Sequence, residues 1–134
     1  MNSNNRSFQY LFIDDDEISN FLVESIAEKL DIAEQSRFLD DAPAALKYLE
    51  EVQQSASSVP PRFIFLDLNM PLMGGFEFLD EYESRNYHKL YPTRIYILSS
   101  SVSPSDIKRS KEYNTVNGFI SKPLKTDELK KIIQ

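Results

Sequence analysis

The feature that constrains the fold most is a short apolar run, Phe63 to Leu66, which ends abruptly at Asp67. The run shows no alternation and is followed by Pro71 and by the Gly74-Gly75 pair, which predicts a strand buried on both faces. Asp67 then lies at the carboxyl end of that strand, where open α/β sheets place their ligand sites. Because a carboxylate is costly to desolvate, Asp67 is expected to have a cationic partner or a chemical task.

Strand-like and helix-like segments alternate five times along the chain. The predicted strands are 8–13, 36–39, 63–66, 95–98 and 116–120, and a helical pattern follows each of them. Parallel strands joined by right-handed crossovers give a five-stranded sheet covered by helices on both faces, which is a three-layer α/β fold. We expect residues 1–7 to be a disordered lead-in and residues 8–134 to form a single domain.

Three local predictions concern the helices and the longest loop. The first helix is predicted to bury one apolar face, made of Ile18, Phe21, Leu22, Ile26 and Leu30. Residues 84–92 are polar and aromatic, end in proline and are predicted to form a loop. Ser103-Pro104 is predicted to open the fourth helix, whose apolar pattern is weak.

The composition excludes several classes of function. A net charge of −6 argues against direct binding to nucleic acid or to an anionic membrane, both of which favour a basic surface. The chain has no cysteine, so disulfides, thiolate metal sites and cysteine nucleophiles are excluded. The polar residues 1–7 do not resemble a signal peptide, and no apolar run is long enough to span a membrane. A cytoplasmic location is therefore expected.

Chemically reactive residues follow four of the five predicted strands. Asp14-Asp15-Asp16 follow the first strand, Asp67 the third, Ser99 the fourth and Lys122 the fifth. Since the carboxyl ends of parallel strands lie along one edge of a sheet, these side chains are expected to meet in one pocket. Clustered carboxylates favour Mg²⁺ or Ca²⁺, while a lysine and a hydroxyl beside them suit a phosphoryl group.

At these residues the sequence resembles the receiver domains of two-component response regulators, over about residues 8–133. The resemblance is carried by four fragments in the same order, which are Phe-Ile-Asp14-Asp15-Asp16, Leu-Asp67-Leu-Asn69-Met-Pro71-x-Met-x-Gly75, Ile-Leu-Ser99-Ser100 and Gly118-Phe119-Ile-Ser-Lys122-Pro123. It implies the flavodoxin-like (βα)5 fold of that family, with a five-stranded parallel sheet in the order 2-1-3-4-5.

The resemblance also implies the roles of the residues that would bind the metal and the phosphoryl group. Asp67 corresponds to the phosphoacceptor, a carboxylate nucleophile that forms an acyl phosphate. Asp15 would bind Mg²⁺ directly, Asp14 would hold a metal-bound water, and the backbone carbonyl of Asn69 would be a further ligand. Lys122 would pair with a phosphoryl oxygen.

Three further positions take their roles from the same resemblance. Ser99 corresponds to the switch hydroxyl that moves to the phosphoryl group, and it is serine where threonine is commonest. Phe119 corresponds to the switch aromatic. It is phenylalanine where the family frequently has tyrosine, so any role that needs a phenolic hydroxyl is absent here. Pro123 corresponds to a cis-proline junction, and Asn69 and Ser101 occupy positions that tune the lifetime of the phosphoryl group.

The expected function is therefore that of a single-domain response regulator without an output domain of its own. A histidine kinase or a histidine phosphotransfer protein would donate the phosphoryl group to Asp67 with Mg²⁺ as cofactor. The chain would catalyse only its own phosphorylation and dephosphorylation, so it is not expected to be an enzyme. Its fourth helix, fifth strand and fifth helix would signal to a downstream protein, and the same surface could form a homodimer.

Three alternative functions compete with this one. A degenerate receiver acting as a phosphorylation-independent adaptor is disfavoured because all of the reactive positions are intact. A Mg²⁺-dependent phosphatase with an aspartyl-phosphate intermediate usually needs a second carboxylate two residues after the nucleophile, where this chain has Asn69. A flavodoxin-like cofactor binder would need a phosphate-binding loop after the first strand, where this chain has aspartates that repel phosphate.

Overall fold

A five-stranded, fully parallel sheet forms the centre of the protein. The computed structural model describes residues 7–100 and 103–134. The strands are β1 (Tyr10–Ile13), β2 (Ser36–Leu39), β3 (Phe63–Leu66), β4 (Arg94–Ser99) and β5 (Val116–Ser121). Their order across the sheet is β2-β1-β3-β4-β5, and every neighbouring pair is parallel. The predicted strand order is confirmed, and the strand that precedes Asp67 is the central one.

Helices cover both faces of the sheet. They are α1 (Glu17–Lys29), α2 (Ala42–Gln54), α3 (Gly75–Ser84), α4 (Tyr87–Leu90), α5 (Pro104–Ser110) and α6 (Thr126–Ile133), with one 3₁₀ turn at Ala33–Gln35. Buried residues of α2, α3 and α4 pack on one face of the sheet, whereas those of α1 and α6 pack on the other. Alternate residues of each strand therefore enter different cores, which confirms the predicted three-layer fold.

One row of aromatic rings crosses the face of the sheet that α1 and α6 cover. The rings of Phe38, Phe12 and Phe65 stack in succession with centroids 4.8 Å apart, and Tyr96 continues the row 5.9 Å from Phe65. On β5 the residue opposite Tyr96 is Gly118, where an added Cβ would lie 3.0 Å from the tyrosine ring. A glycine inside β5 thus makes room for the last ring of the row.

The buried face of α1 differs from the prediction. Asp16 caps the helix by accepting hydrogen bonds from the backbone N–H groups of Ile18 and Ser19. The helix buries Val23, Ile26 and Ala27, while Ile18, Phe21 and Leu22 are 73%, 69% and 47% exposed. The prediction holds for Ile26, which is buried, and for Leu30, which packs against the same core, but it was wrong for the other three residues. Towards the start of α1 the inner side of the helix is formed instead by the half-buried polar residues Ser19 and Asn20.

The predicted loop at residues 84–92 contains a helical turn, α4. Asn86 precedes it with a positive φ of 62°, a conformation that asparagine tolerates better than most residues. Tyr87 anchors the turn, because it is almost fully buried and packs edge-on against Tyr82. With α4 counted, the fourth and fifth helices of the prediction correspond to α5 and α6.

The remaining observations concern the ends of the chain and its helices. The predicted lead-in, residues 1–7, falls outside the described residues except for Ser7, whose hydroxyl accepts a hydrogen bond of 2.9 Å from the Val59 backbone. Ser103 caps α5 and Pro104 occupies its first position, as predicted. Within residues 7–100 and 103–134, no helix is long and apolar enough to span a membrane.

Candidate functional site

Three carboxylates converge at the carboxyl edge of the sheet, where β1 and β3 end side by side. Ligand oxygens of Asp14, Asp15 and Asp67 all lie within 4.8 Å of one another. Asp14 and Asp67 are 4% and 5% exposed, whereas Asp15 is open to solvent. Three carboxylates this close repel one another, and a hard cation that takes oxygen ligands fits the donor set.

Lys122 brings the one ammonium group that contacts this cluster within the described part of the chain. Its Nζ lies 2.7 Å from Oδ2 of Asp14 and 3.9 Å from Oδ1 of Asp67. The backbone N–H of Lys122 donates a 2.9 Å hydrogen bond to the carbonyl of Ser99, which fixes the end of β5 against the end of β4. The lysine therefore pairs more closely with Asp14 than with Asp67 in this structure.

The environment of Asp67 raises the pKa of its carboxyl group from 3.8 to about 6. Burial is the main cause, and the neighbouring charge of Asp14 adds to it, with a smaller contribution from Asp15. The ammonium of Lys122 and a hydrogen bond from the Asn69 backbone N–H act in the opposite direction. The single positive charge of Lys122 therefore does not balance the three carboxylates. A further cation bound among them would reduce their mutual repulsion.

Hydrogen bonds from the backbone and from one polar side chain hold the acidic segment after β1. The Asp14 backbone N–H donates to the Leu39 carbonyl, and Oδ1 of Asp14 accepts a 3.0 Å bond from the Asp16 backbone. Asn20 on α1 donates its Nδ2 to the Asp14 carbonyl at 2.9 Å. Sequence reasoning missed Asn20, because a single asparagine inside a helix carries no signal of such a contact.

The segment after Asp67 packs tightly under the site. Gly75 donates its N–H to the Leu68 carbonyl at 3.0 Å, and an added Cβ there would lie only 2.7 Å from the Asp67 carbonyl oxygen. Leu72 in this segment adopts a positive φ of 71°, which is unusual for a bulky residue, and its side chain is 89% exposed. The backbone N–H of Asn69 hydrogen-bonds to the Asp67 carboxylate. That contact does not involve the Asn69 carbonyl, whose role as a metal ligand stays a prediction.

The two predicted switch residues lie on one face of the sheet. Ser99 is fully buried at the end of β4, two residues after Ile97, so its side chain faces the same layer as Ile97. Phe119 pairs with Ile97 across β4 and β5, is half-buried and packs against the core on that same face. Their roles remain predictions. The predicted tuning residue Ser101 lies outside the described residues, and the Lys122-Pro123 peptide bond is cis as expected.

An apolar surface adjoins the site on the α1 side. A groove of about 220 Å³ is lined by Ile18 and Leu22 of α1, by Leu124 and by Lys122, whose ammonium pairs with Asp14 and Asp67. Phe21, on the same helix, is exposed as well. We refer to Ile18, Phe21 and Leu22 as the α1 patch.

Fold and site together define a class: a doubly wound α/β protein with an acidic, lysine-containing site at the carboxyl edge of its sheet. The model of the response regulator receiver domain matches residues 10–134. The chain therefore belongs to the response regulator receiver family of two-component signalling, which confirms the resemblance stated from the sequence.

Three relatives illustrate how close the similarity is. The Probable methanogenesis regulatory protein FilR2 of Methanothrix harundinacea is 29% identical over 127 residues, which are 95% of this chain and 79% of that protein. A two-component response regulator from Cytophaga hutchinsonii has a similar structure, with a TM-score of 0.82, 29% identity and coverage of 95% and 92% of the two chains. The Mn²⁺-bound form of the response regulator Rcp1 has a TM-score of 0.69 at 26% identity and covers 93% and 88%.

Proposed function

We propose that this receiver domain is a phosphorylation switch in which Asp67 accepts a phosphoryl group from the phosphohistidine of a kinase or a phosphotransfer protein. The single observation that carries the proposal is the site itself, where a buried carboxylate with a raised pKa lies beside two further carboxylates and an ammonium group. We propose a cytoplasmic location for this reaction. The domain catalyses only its own phosphorylation and dephosphorylation.

The transfer is a nucleophilic displacement at phosphorus. A carboxylate oxygen of Asp67 forms the new O–P bond, the N–P bond of the donor breaks, and its electron pair returns to the imidazole ring. With a pKa of about 6, Asp67 is still mostly ionised at neutral pH, so the nucleophilic form is available. The ammonium of Lys122 and the hydroxyl of Ser99 are proposed to contact the phosphoryl oxygens and to stabilise their charge.

Mg²⁺ is the proposed cofactor, held by Asp14, Asp15, Asp67 and the Asn69 carbonyl. The carboxylate oxygens within 4.8 Å of one another fit a hard divalent cation, and the relative Rcp1 has a Mn²⁺-bound form. When bound, the ion neutralises charge on the phosphoryl oxygens. In this structure the ammonium group of Lys122 forms a 2.7 Å ion pair with Asp14. A phosphoryl group on Asp67 would therefore have to share that ammonium group with Asp14.

The α1 patch is proposed to contact the protein that donates the phosphoryl group. A donor has to bring its phosphohistidine to Asp67, and the patch adjoins the groove that Lys122 lines. Three large apolar side chains exposed on one helix are costly in water, so a partner surface that covers them would gain binding energy. Leu72 is exposed on the segment that follows Asp67 and adds a further apolar contact.

The signal is proposed to leave through α5, β5 and α6. Phe119 packs against the same core as Phe76, which Arg109 of α5 contacts, so a movement of Ser99 towards a phosphoryl group would alter the packing around α5. A downstream protein, or a second copy of the chain, would bind the altered surface.

The proposal is tested by intact-mass measurement after incubation with acetyl phosphate, with and without Mg²⁺. Wild type should gain one phosphoryl group only when Mg²⁺ is present, and Asp67→Asn should gain none. The matched control is Asp40→Asn, which changes an exposed carboxylate in the same way and should be labelled like wild type. If wild type is not labelled and does not bind beryllofluoride with Mg²⁺, the adaptor alternative replaces this proposal.

A further inference from the structure

Helix α5 has little apolar contact of its own with the core. It has seven residues, the only buried one is Ser110, and Ile107 is half-buried. A helix this short is not stable in isolation and depends on tertiary contacts. Its position must therefore be maintained by contacts that the weak apolar pattern of α5 does not reveal.

A cluster of four side chains provides such contacts between α3 and the end of α5. The ring of Tyr113 stacks on Phe76 with centroids 5.9 Å apart, and the guanidinium of Arg109 lies 4.3 Å from the Phe76 centroid. The Tyr113 hydroxyl donates a 2.8 Å hydrogen bond to Oδ1 of Asp80. We call Phe76, Asp80, Arg109 and Tyr113 the Phe76 cluster; it combines ring stacking, a cation–π contact and a hydrogen bond to a charged acceptor.

A second contact extends the attachment along α3. The hydroxyl of Thr115 donates to Oε2 of Glu83 at 3.1 Å, one helical turn beyond Asp80. Arg109, Tyr113 and Thr115 thus contact successive positions along α3. The burial of the Tyr113 ring raises the pKa of its phenol, as does Asp80, so the hydroxyl remains a donor at neutral pH.

The two segments that the cluster joins both begin at the candidate site. Phe76 is the second residue of α3, directly after Gly75, which packs against the backbone of Asp67. Helix α5 begins at Pro104, five residues after Ser99 at the end of β4. A displacement of either the Asp67 loop or Ser99 would therefore strain or relieve the cluster.

We propose that the Phe76 cluster restrains α5 in the unphosphorylated position and must rearrange when a phosphoryl group is bound at Asp67. The inference rests on the proposed function for its second half, since the ligand is the phosphoryl group. Because contacts that exist in only one of two conformers bias the equilibrium between them, weakening the cluster favours the ligand-binding conformer.

The first test compares the affinity of beryllofluoride, a phosphoryl mimic, for wild type and Tyr113→Phe at saturating Mg²⁺ by isothermal titration calorimetry. The variant removes only the hydroxyl that binds Asp80 and should bind about threefold to tenfold more tightly. Asp80→Ala should have the same effect, and the double variant should gain nothing further. The matched control is Tyr91→Phe, because the Tyr91 hydroxyl has no hydrogen-bond partner among the described residues. Equal or weaker binding by Tyr113→Phe overturns the proposal.

The second test uses amide hydrogen exchange on the unphosphorylated proteins and does not depend on ligand binding. Tyr113→Phe should speed exchange across α5 and residues 111–115, and Tyr91→Phe should leave that region unchanged. Unchanged protection in Tyr113→Phe overturns the proposed restraint whatever the calorimetry shows. If wild type binds no beryllofluoride, the proposed function fails and the coupling to Asp67 fails with it, while the exchange data still decide whether the cluster holds α5.

Discussion

Replacing Asp67 with asparagine is expected to stabilise the metal-free protein at neutral pH, although the same change removes the proposed phosphoacceptor. The carboxyl group of Asp67 is buried and lies beside Asp14 and Asp15. Its pKa rises from 3.8 to about 6, so its ionised form is disfavoured in the folded state. Asparagine has nearly the same shape without the charge.

The magnitude follows from linkage between ionisation and folding. A carboxyl whose pKa rises from 3.8 to about 6 costs roughly 3 kcal/mol of folding free energy once it is ionised in both states. Lys122 loses one of its two carboxylate partners in the variant, although it keeps the closer one, Asp14. We therefore expect Asp67→Asn to gain about 1–3 kcal/mol, which for a chain of this length corresponds to roughly 3–10 °C in Tm.

The sign of the pH dependence is fixed by the raised pKa. Above about pH 6 the folded and unfolded states are both ionised at Asp67, and the full cost is present. As the pH falls from about 6 towards 3.8, the folded state takes up the proton first, so the cost disappears. The advantage of Asp67→Asn should therefore shrink to about a third of its value near pH 4.5.

Urea denaturation in the presence of EDTA, at about pH 7.5 and pH 4.5, measures this difference. Asp40→Asn serves as the control for loss of an exposed carboxylate and should change stability by less than about 0.5 kcal/mol. Adding Mg²⁺ should stabilise wild type and leave Asp67→Asn nearly unchanged. The reasoning would be refuted if Asp67→Asn were no more stable than wild type at pH 7.5. It would also be refuted if the gain in stability over wild type were the same at both pH values.

Three further predictions concern the metal, the turn and the donor. Asp15→Asn should lower the Mg²⁺ affinity measured by calorimetry about tenfold or more, and unchanged affinity would exclude it as a ligand. Gly75→Ala should cost about 1–3 kcal/mol in urea denaturation, because its Cβ would lie 2.7 Å from a backbone oxygen. Gly74→Ala, with 3.2 Å available, should cost less, and the reverse order would contradict the packing described. Phe21→Ser should slow transfer from a histidine kinase that phosphorylates wild type but leave labelling by acetyl phosphate unchanged. Leu90→Ser, an exposed leucine outside the α1 patch, should affect neither, and equal rates for both variants would exclude the patch as a docking surface.

The sheet and the convergence at its edge were predictable because they depend on strong local signals. The unbroken run from Phe63 to Leu66, followed by Pro71 and Gly74-Gly75, is typical of a strand covered on both faces, and the position of that strand fixes where Asp67 lies. Parallel strands then bring Asp14 and Lys122 to the same edge, whatever their separation in sequence. The strand order itself came from the family resemblance.

Other features were not predictable, because they depend on tertiary packing. Four residues of α4 form a single turn, too short for a helical period, and the buried ring of Tyr87 holds it in place. The face of α1 was misassigned because Asn20, which contacts the Asp14 carbonyl, belongs to the inner side of the helix despite its polarity. The closer pairing of Lys122 with Asp14 likewise depends on side-chain positions that strand ends alone do not fix.

The most direct test of the central claim is to locate the phosphoryl group on the protein. Acetyl phosphate and Mg²⁺ are used to label wild type, borohydride reduces the acyl phosphate, and peptide mapping identifies the altered residue. We expect Asp67 to be converted to homoserine, Asp14 and Asp15 to be unchanged, and the signal to be lost without Mg²⁺. Reduction at another aspartate, or labelling on His88, would contradict the assignment of Asp67 as the phosphoacceptor.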